Sequence, residues 1–188
     1  MPADVTALIL CGGRGERMGG ADKPLLEWHG KPMVEHVVEA ARAVAGEVLI
    51  SANRNVARYQ RWAPVITDHP YESSGPLTGI LRGMETARHS KLWVCPGDAP
   101  ALSEALLSRL DTTDAQVVTA HDGQRDQWLH MLTNVSLREH LAGYIDAGGY
   151  SVYRWIESLP ANAHARVDVA DEAGWFLNIN SPERLSRS

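Results

Sequence analysis

The stretch LILCGGRGERMGGADKPLL, residues 8–26, decides the fold of this chain. It begins within the apolar run of residues 5–11, which predicts a central strand buried on both faces of a parallel sheet. The glycines that follow have no Cβ, so several backbone N–H groups can turn toward one anion, and Arg14, Arg17 and Lys23 add positive charge. Ligands of open parallel sheets bind at the carboxyl ends of the strands, so the stretch predicts a phosphate-binding loop at that edge.

Two well-known glycine motifs do not match this loop. A P-loop places Ser or Thr directly after its lysine, whereas Lys23 is followed by Pro24. The dinucleotide-binding fingerprint needs a third glycine where Met18 stands. An exposed glycine-rich loop with solvated arginines is the remaining alternative, and the strand-like lead-in makes it the weaker interpretation.

The composition predicts one globular domain over residues 1–188, with 44% hydrophobic residues and a net charge of −5. The acidic balance argues against binding to nucleic acid, which requires a basic surface. No apolar run reaches the roughly 18 residues of a membrane span, and the N-terminus lacks a basic leader, so we expect a cytoplasmic protein without membrane contact. Cys11 and Cys95 lack the spacing of a zinc site and are expected to be free, buried thiols.

Strand-like and helix-like patterns alternate along the chain. Residues 33–44 predict an amphipathic helix with Gly46 as its C-cap. A second helix opens at Pro76, and its Gly79 and Gly83 permit close packing on the sheet. We therefore expect a three-layer α/β/α Rossmann-like fold with a mostly parallel sheet. A β-hairpin excursion is expected after residue 115, formed by residues 115–120 and 129–133 around the Asp122-Gly123 turn.

Two aspartates follow predicted strands and are candidate site residues. Asp98 lies in Gly97-Asp98-Ala99-Pro100 after the buried strand of residues 91–95. Magnesium takes one or two carboxylates together with phosphate oxygens and water, so Asp98 is a candidate Mg²⁺ ligand, with Mn²⁺ as the alternative ion. Asp68 follows the strand of residues 64–67 and can bind a base or a ribose. Each aspartate also has a purely structural interpretation, as a turn or cap residue or as a solvated side chain.

The glycine-rich stretch resembles the signature loop of nucleotidyltransferases, in particular the molybdenum cofactor guanylyltransferases. The resemblance rests on Leu10-Cys11-Gly12-Gly13, on Gly15, and on Arg17-Met18-Gly19-Gly20 followed by Asp22-Lys23. Three further blocks resemble the same family and extend the similarity over most of the chain. They are Gly-Pro-Leu-x-Gly at residues 75–79, Gly-Asp-x-Pro at residues 97–100 and Asn-x-Asn-x-Pro-Glu at residues 178–183.

The resemblance implies a transferase that moves GMP from GTP to Mo-molybdopterin, releases pyrophosphate and works beside other proteins of cofactor biosynthesis and insertion. It implies a nucleotide half at about residues 1–110 and an acceptor half at about residues 111–188. It also assigns catalytic, nucleotide-binding and metal-binding residues. The catalytic set is Arg17, Lys23 and Asp98; the nucleotide-binding set is Leu10, Cys11, Gly12, Gly13, Gly15, Lys23, Ser51, Asn53, Asp68, Gly79 and Asp98; the metal ligands are Asp98 and Asn180.

The chain departs from the family pattern at a few positions. Ser51 replaces the usual asparagine, so the purine contact there is a shorter hydroxyl or shifts to Asn53. Gln127-Trp128 replaces the His-Pro of the acceptor region, and few basic residues surround Tyr150. Three alternatives therefore stay open: a cytidylyltransferase for the same cofactor, a sugar-phosphate nucleotidyltransferase, and a non-catalytic module that binds GTP or the cofactor.

Overall fold

The computed structural model of the protein describes residues 3–12, 22–71 and 75–177, which contain nine strands. Seven of them form the main sheet, and two short ones form a separate ribbon. In chain order they are β1 (Ala3–Leu10), β2 (Glu27–Trp28), β3 (Lys31–Pro32), β4 (Ala45–Ser51), β5 (Val65–Ile66), β6 (Lys91–Pro96), β7 (Val117–His121), β8 (Asp126–Asn134) and β9 (His164–Asp168).

The order of strands in the main sheet is β5-β4-β1-β6-β8-β7-β9. Neighbouring strands from β5 to β6 are parallel, as are β7 and β9, whereas β8 runs antiparallel to both β6 and β7. β8 is therefore the only strand of this sheet, within the described residues, that opposes the others. The mostly parallel sheet predicted from the sequence is confirmed.

Helices cover both faces of the sheet and complete the three layers. They are α1 (Met33–Val44), α2 (Val56–Tyr59), α3 (Pro76–Thr86), α4 (Ala105–Leu110), α5 (Arg138–Asp146) and α6 (Val152–Glu157). Buried residues of α1 and α4 belong to the core on one face, and those of α3, α5 and α6 belong to the core on the other. No helix of the described segments is long and apolar enough to cross a membrane.

β1 supplies both cores, because its side chains alternate between the two faces of the sheet. Ala7 and Ile9 pack into the α1 side, while Leu8 packs into the α3 side, and all three are fully buried. α3 approaches β1 closely at Gly83, where a Cβ would lie 2.6 Å from Leu8 Cδ2. The predicted role of Gly83 in close helix packing is confirmed.

Two details differ from the sequence expectation. Gly46 lies inside β4, because α1 already ends at Val44 and the chain turns extended at Ala45, so the predicted C-cap is wrong. The hairpin around Gly123 is present, but both of its strands belong to the main sheet, with β8 between β6 and β7. Backbone pairing with β6, which the hydrophobic pattern does not encode, draws the hairpin into the sheet.

Candidate active site

The carboxyl ends of β1, β4, β5 and β6 meet at one edge of the sheet. Backbone hydrogen bonds continue past the strands and tie together the loops that leave this edge. Cys11 N–H donates to Ser51 O at 2.8 Å, Ala52 N–H donates to Ile66 O at 3.0 Å, and Gly97 N–H donates to Leu10 O at 2.9 Å. The loops that carry the candidate residues therefore start from a rigid platform.

Lys23 and Asp98 are brought together at this edge although 75 positions separate them in the chain. Lys23 Nζ donates to Asp98 Oδ2 at 2.6 Å, and the two side chains are only 16% and 22% exposed. The Asp98 carboxylate is half-buried and already contacts the Lys23 ammonium, so its position favours the binding of positive charge. Two of the three predicted catalytic residues thus share one contact.

Gly97 lets the turn before Asp98 pack against the start of the glycine-rich loop. A Cβ on Gly97 would lie 2.5 Å from Cys11 Sγ, 3.2 Å from Leu10 O and 3.3 Å from Pro24 Cβ. The Cys11 thiol is buried, and burial raises its pKa well above the ordinary value, so it stays a neutral packing group. Glycine at position 97 thus lets the turn that carries Asp98 pack closely against the end of β1 at Leu10 and Cys11.

Asn53 and Asp68 form a second pair, beyond the ends of β4 and β5. Asn53 Nδ2 donates to Asp68 Oδ2 at 2.7 Å, and Asp68 N–H donates back to Asn53 Oδ1 at 2.9 Å. Asp68 is buried, while Asn53 is exposed. These two hydrogen bonds fix the orientation of the Asn53 amide and of the Asp68 carboxylate relative to each other.

Ser51, the last residue of β4, packs against Gly79 of α3. A Cβ on Gly79 would lie 2.6 Å from Ser51 Oγ and 3.1 Å from Leu10 Cδ2, so this glycine makes room for the serine side chain. Ser51 is 4% exposed. The predicted close packing of Gly79 is confirmed, and the structure brings it together with Ser51 and Leu10.

Several predicted site residues lie outside the described residues. They are Gly13, Gly15 and Arg17 in the loop, and Asn180 near the C-terminus. Gly12, the last described residue before the loop, is exposed and has open space where a Cβ would stand. The described part of the site therefore consists of the Lys23 and Asp98 pair, the Asn53 and Asp68 pair, and the packing group around Ser51, Gly79 and Cys11.

Comparison with known proteins assigns the chain to a family. Residues 7–165 match the profile of the MobA-like NTP transferase domain. The chain belongs to this family. A molybdenum cofactor guanylyltransferase of Shewanella sp. (strain ANA-3) is 36% identical over 100% of this chain and 96% of that protein. One from Cupriavidus metallidurans is 39% identical over 97% of this chain and 93% of that protein.

Solved structures show the same fold. The molybdopterin-guanine dinucleotide biosynthesis protein A of Archaeoglobus fulgidus superposes with a TM-score of 0.78 at 20% identity, covering 97% of this chain and 95% of that one. A Mycobacterium tuberculosis protein solved in complex with manganese superposes with a TM-score of 0.65 at 15% identity, covering 88% of each chain. The three-layer fold expected from the sequence is thus the fold of MobA-like NTP transferases.

In this MobA-like NTP transferase, His130 is a buried residue that none of the sequence motifs indicates. Gln127 pairs with Ala120 of β7 and Met131 pairs with Thr119, so the three residues between Gln127 and Met131 bulge out of the ladder. His130 is 4% exposed, stacks edge-to-face on Phe176 with ring centroids 4.8 Å apart, and its Nε2 has no partner among the described residues. Burial lowers its pKa to about 4, against a smaller opposing effect of the Asp98 charge. His130 is therefore neutral near pH 7.

The sequence carries no signal for the burial of His130, because the bulge in β8 is not predicted. The predicted strand of residues 129–133 is too short to contain a bulge, whereas the observed strand begins at Asp126. A bulge depends on the register of both strands of a pair, which the sequence of one strand does not contain.

Proposed function

We propose that the protein is a Mg²⁺-dependent molybdenum cofactor guanylyltransferase. It transfers GMP from GTP to the terminal phosphate of Mo-molybdopterin, forms molybdopterin guanine dinucleotide and releases pyrophosphate. The observation that carries the proposal is the contact between Lys23 and Asp98 at the carboxyl edge of the parallel strands. It joins Lys23, which follows the loop that we assign to the phosphates, to the carboxylate that we assign to the metal, and relatives matched over nearly their whole length bear the name of this activity.

The metal requirement is consistent with the donors that the chain offers. The Asp98 carboxylate already accepts a bond from a cation, and Mg²⁺ needs one or two carboxylates besides phosphate and water oxygens. The described residues contain no cluster of three or more His, Cys, Asp or Glu side chains that could hold a metal ion. We therefore propose that phosphate and water oxygens complete the coordination of the ion. Asp98, assisted by Asn180, would hold the ion, which supplies positive charge against the phosphates of GTP. The manganese complex of the Mycobacterium tuberculosis protein supports a divalent ion in this fold.

The triphosphate is assigned to the glycine-rich loop. Backbone N–H groups of Gly12, Gly13 and Gly15 would cradle the phosphates, as nests of amides do for anions. Arg17 and Lys23 add the charge that a desolvated triphosphate requires. The ammonium of Lys23 is the group we assign to the α-phosphoryl and to the leaving pyrophosphate.

The base is assigned to the second pair. Guanine presents an N1–H and an N2 amino group side by side on one edge, and a carboxylate accepts both. Asp68 is held by Asn53 in a fixed orientation, which makes this pair our candidate for guanine recognition, with Ser51 at the end of β4 as a further candidate.

The chemistry requires positioning more than acid–base catalysis. The acceptor phosphate is anionic near pH 7, so it can attack the α-phosphorus in line without a strong general base. The new P–O bond forms as the bond to pyrophosphate breaks, and we propose no covalent enzyme intermediate. Lys23 and Arg17 neutralise the charge that develops on the transferred and leaving groups.

The same proposal assigns the two substrates to different parts of the chain. We assign the nucleotide to residues 1–110 and the pterin acceptor to residues 111–188, and we expect the protein to exchange the cofactor with other proteins of its biosynthesis and insertion. The cytoplasm is the compartment we propose, because Cys11 and Cys95 are free thiols, as in reducing compartments.

Pyrophosphate release tests the function. The full chain is incubated with Mg²⁺ and with GTP or CTP, each with and without Mo-molybdopterin, and in a parallel set with sugar phosphates. Release that requires both GTP and Mo-molybdopterin supports the proposal. Release with CTP instead, or with a sugar phosphate, would identify one of the sister activities, and GTP binding without release would indicate a non-catalytic module.

A further inference from the structure

Asp22, the first described residue after the glycine-rich loop, is held by two side chains from the loop and helix that follow β4. The Tyr59 hydroxyl donates to Asp22 Oδ1 at 2.7 Å. Asn55 Nδ2 donates to Asp22 Oδ2 at 2.8 Å. Both carboxylate oxygens are therefore engaged, and the residue that follows the loop is fixed to a different part of the chain.

Tyr59 is a rigid donor. It is fully buried in the α1-side core, and its ring packs on Trp62 with centroids 6.3 Å apart. Its N–H donates to Asn55 O at 3.2 Å, which closes the turn of α2. Burial, with the nearby Cys11 and Asp22 acting in the same direction, raises the pKa of the Tyr59 phenol above its ordinary value, so the hydroxyl stays protonated. The core therefore holds the Tyr59 hydroxyl in a fixed position, from which it donates to Asp22.

The backbone after Asp22 transmits this anchoring to Lys23. A 3₁₀ turn covers Lys23–Leu25, with Leu25 N–H donating to Asp22 O at 2.9 Å and Leu26 N–H donating to Lys23 O at 3.0 Å. Pro24 in the turn is buried and restricts the backbone further. The α-carbon of Lys23 is therefore set by the Asp22 side chain on one side and by the turn on the other.

We propose that Tyr59, acting through Asp22, is a positioning residue that aims the ammonium of Lys23. The inference rests on the proposed function only in giving Lys23 its role at the phosphates. In the proposed reaction Asp98 would hold the metal ion, and the anchoring of the backbone at Asp22 and in the following turn would keep the Lys23 ammonium within reach of the phosphates. Asn55, which is exposed, supports the same carboxylate from the solvent side.

Tyr59→Phe tests the clamp, because it removes one hydroxyl and keeps the buried ring. We expect kcat for GMP transfer to fall between about 10-fold and 100-fold, as for a displaced catalytic group, while KM for GTP changes less than about 3-fold. Thr86→Val is the matched control, since it removes an exposed side-chain hydroxyl that donates to Arg82 O within α3 and belongs to none of the assigned site residues. The control is expected to keep the wild-type kcat. Asp22→Asn, which retains an acceptor for Tyr59, should lose less activity than Asp22→Ala.

Competitive labelling of amines provides a readout that does not require turnover. The chain contains three lysines, Lys23, Lys31 and Lys91, and their relative reactivity is measured by mass spectrometry on the folded protein. In Tyr59→Phe we expect labelling of Lys23 to rise about threefold while Lys31 and Lys91 stay at wild-type values. A simultaneous rise at all three lysines would show general loosening and overturn the proposal.

The two assays separate the clamp from the function. Unchanged kcat and unchanged Lys23 labelling in Tyr59→Phe, with an active wild type, would overturn the clamp alone. Absence of pyrophosphate release in the wild type would overturn the proposed function, and a selective rise in Lys23 labelling would still support the clamp.

Discussion

Protonation of the buried His130 is expected to destabilise the protein in mild acid. Its pKa of about 4 in the folded protein lies below the ordinary value of 6.5. Well above pH 6.5 the imidazole is neutral in both the folded and the unfolded state, so His130 does not reduce the free energy of unfolding there. Between pH 6.5 and 4 the unfolded state binds a proton that the folded state does not, and stability falls as the pH falls.

The size of the effect follows from the shift. One unit of pKa corresponds to about 1.4 kcal/mol, so lowering the pH from 7 to 5 removes about 2 kcal/mol through His130. The full loss, reached below pH 4, is about 3 kcal/mol, a large part of the stability of a single domain.

Urea unfolding at pH 7 and pH 5 measures this loss in the wild type and in His130→Leu. Leucine has a similar volume and removes Nε2, which has no partner in the described part of the chain, so we expect little change in unfolding free energy at pH 7. Between pH 7 and pH 5 the variant should lose about 2 kcal/mol less than the wild type. His140→Gln, at an exposed histidine that accepts a bond from Trp155 Nε1, is the control and should follow the wild type. Equal losses in the wild type and His130→Leu would refute the reasoning.

Further predictions address the active site. Lys23→Ala and Asp98→Ala are each expected to abolish pyrophosphate release while circular dichroism and the melting temperature stay near wild type; full activity in either variant would reject the assignment. Removal of divalent ions with EDTA should stop turnover, and Mg²⁺ or Mn²⁺ should restore it, whereas activity that survives chelation would contradict a metal requirement. Asp68→Asn should raise KM for GTP at least 10-fold, because one acceptor for guanine becomes a donor; steady-state kinetics with an unchanged KM would exclude Asp68 from base recognition. Gly97→Ala should lower the unfolding free energy by about 1–3 kcal/mol, since the new methyl group overlaps Cys11 Sγ, and Cys11→Ala in the same chain should recover part of the loss in a urea titration.

The sequence predicts the elements of this fold well where one hydrophobic period dominates. The stripe of α1, including Val34, Val37 and Ala41, is buried as its spacing requires, and β1 is buried on both faces. Gly46 shows the limit of local reasoning. Its identity favours the end of a helix, but pairing between β1 and β4 begins at Ala45 and takes the residue into the strand.

The candidate site was predictable as a set of residues but not as a set of contacts. Motif spacing indicates Lys23 and Asp98, yet their ion pair depends on β1 and β6 lying side by side, with Gly97 packed against the end of β1. Tyr59 carries no sequence signal at all, because a buried tyrosine in a short helix is ordinary until the partner of its hydroxyl is known. Such partners are set by tertiary packing, which acts over distances that a sequence window does not cover.

Because β8 lies between β6 and β7, the nucleotide half and the acceptor half share one sheet and cannot be separated without exposing a strand. A fragment ending at residue 110 would keep β1, β4 and β5 but would leave β6 without the antiparallel neighbour that pairs with it at Lys91 to Val94. The uncovered backbone of a strand that is otherwise buried is a template for pairing with another chain, so this fragment should aggregate. A gene truncated after the codon for residue 110 would therefore yield insoluble protein, and any evolutionary exchange of the acceptor region has to replace a strand in the middle of the sheet.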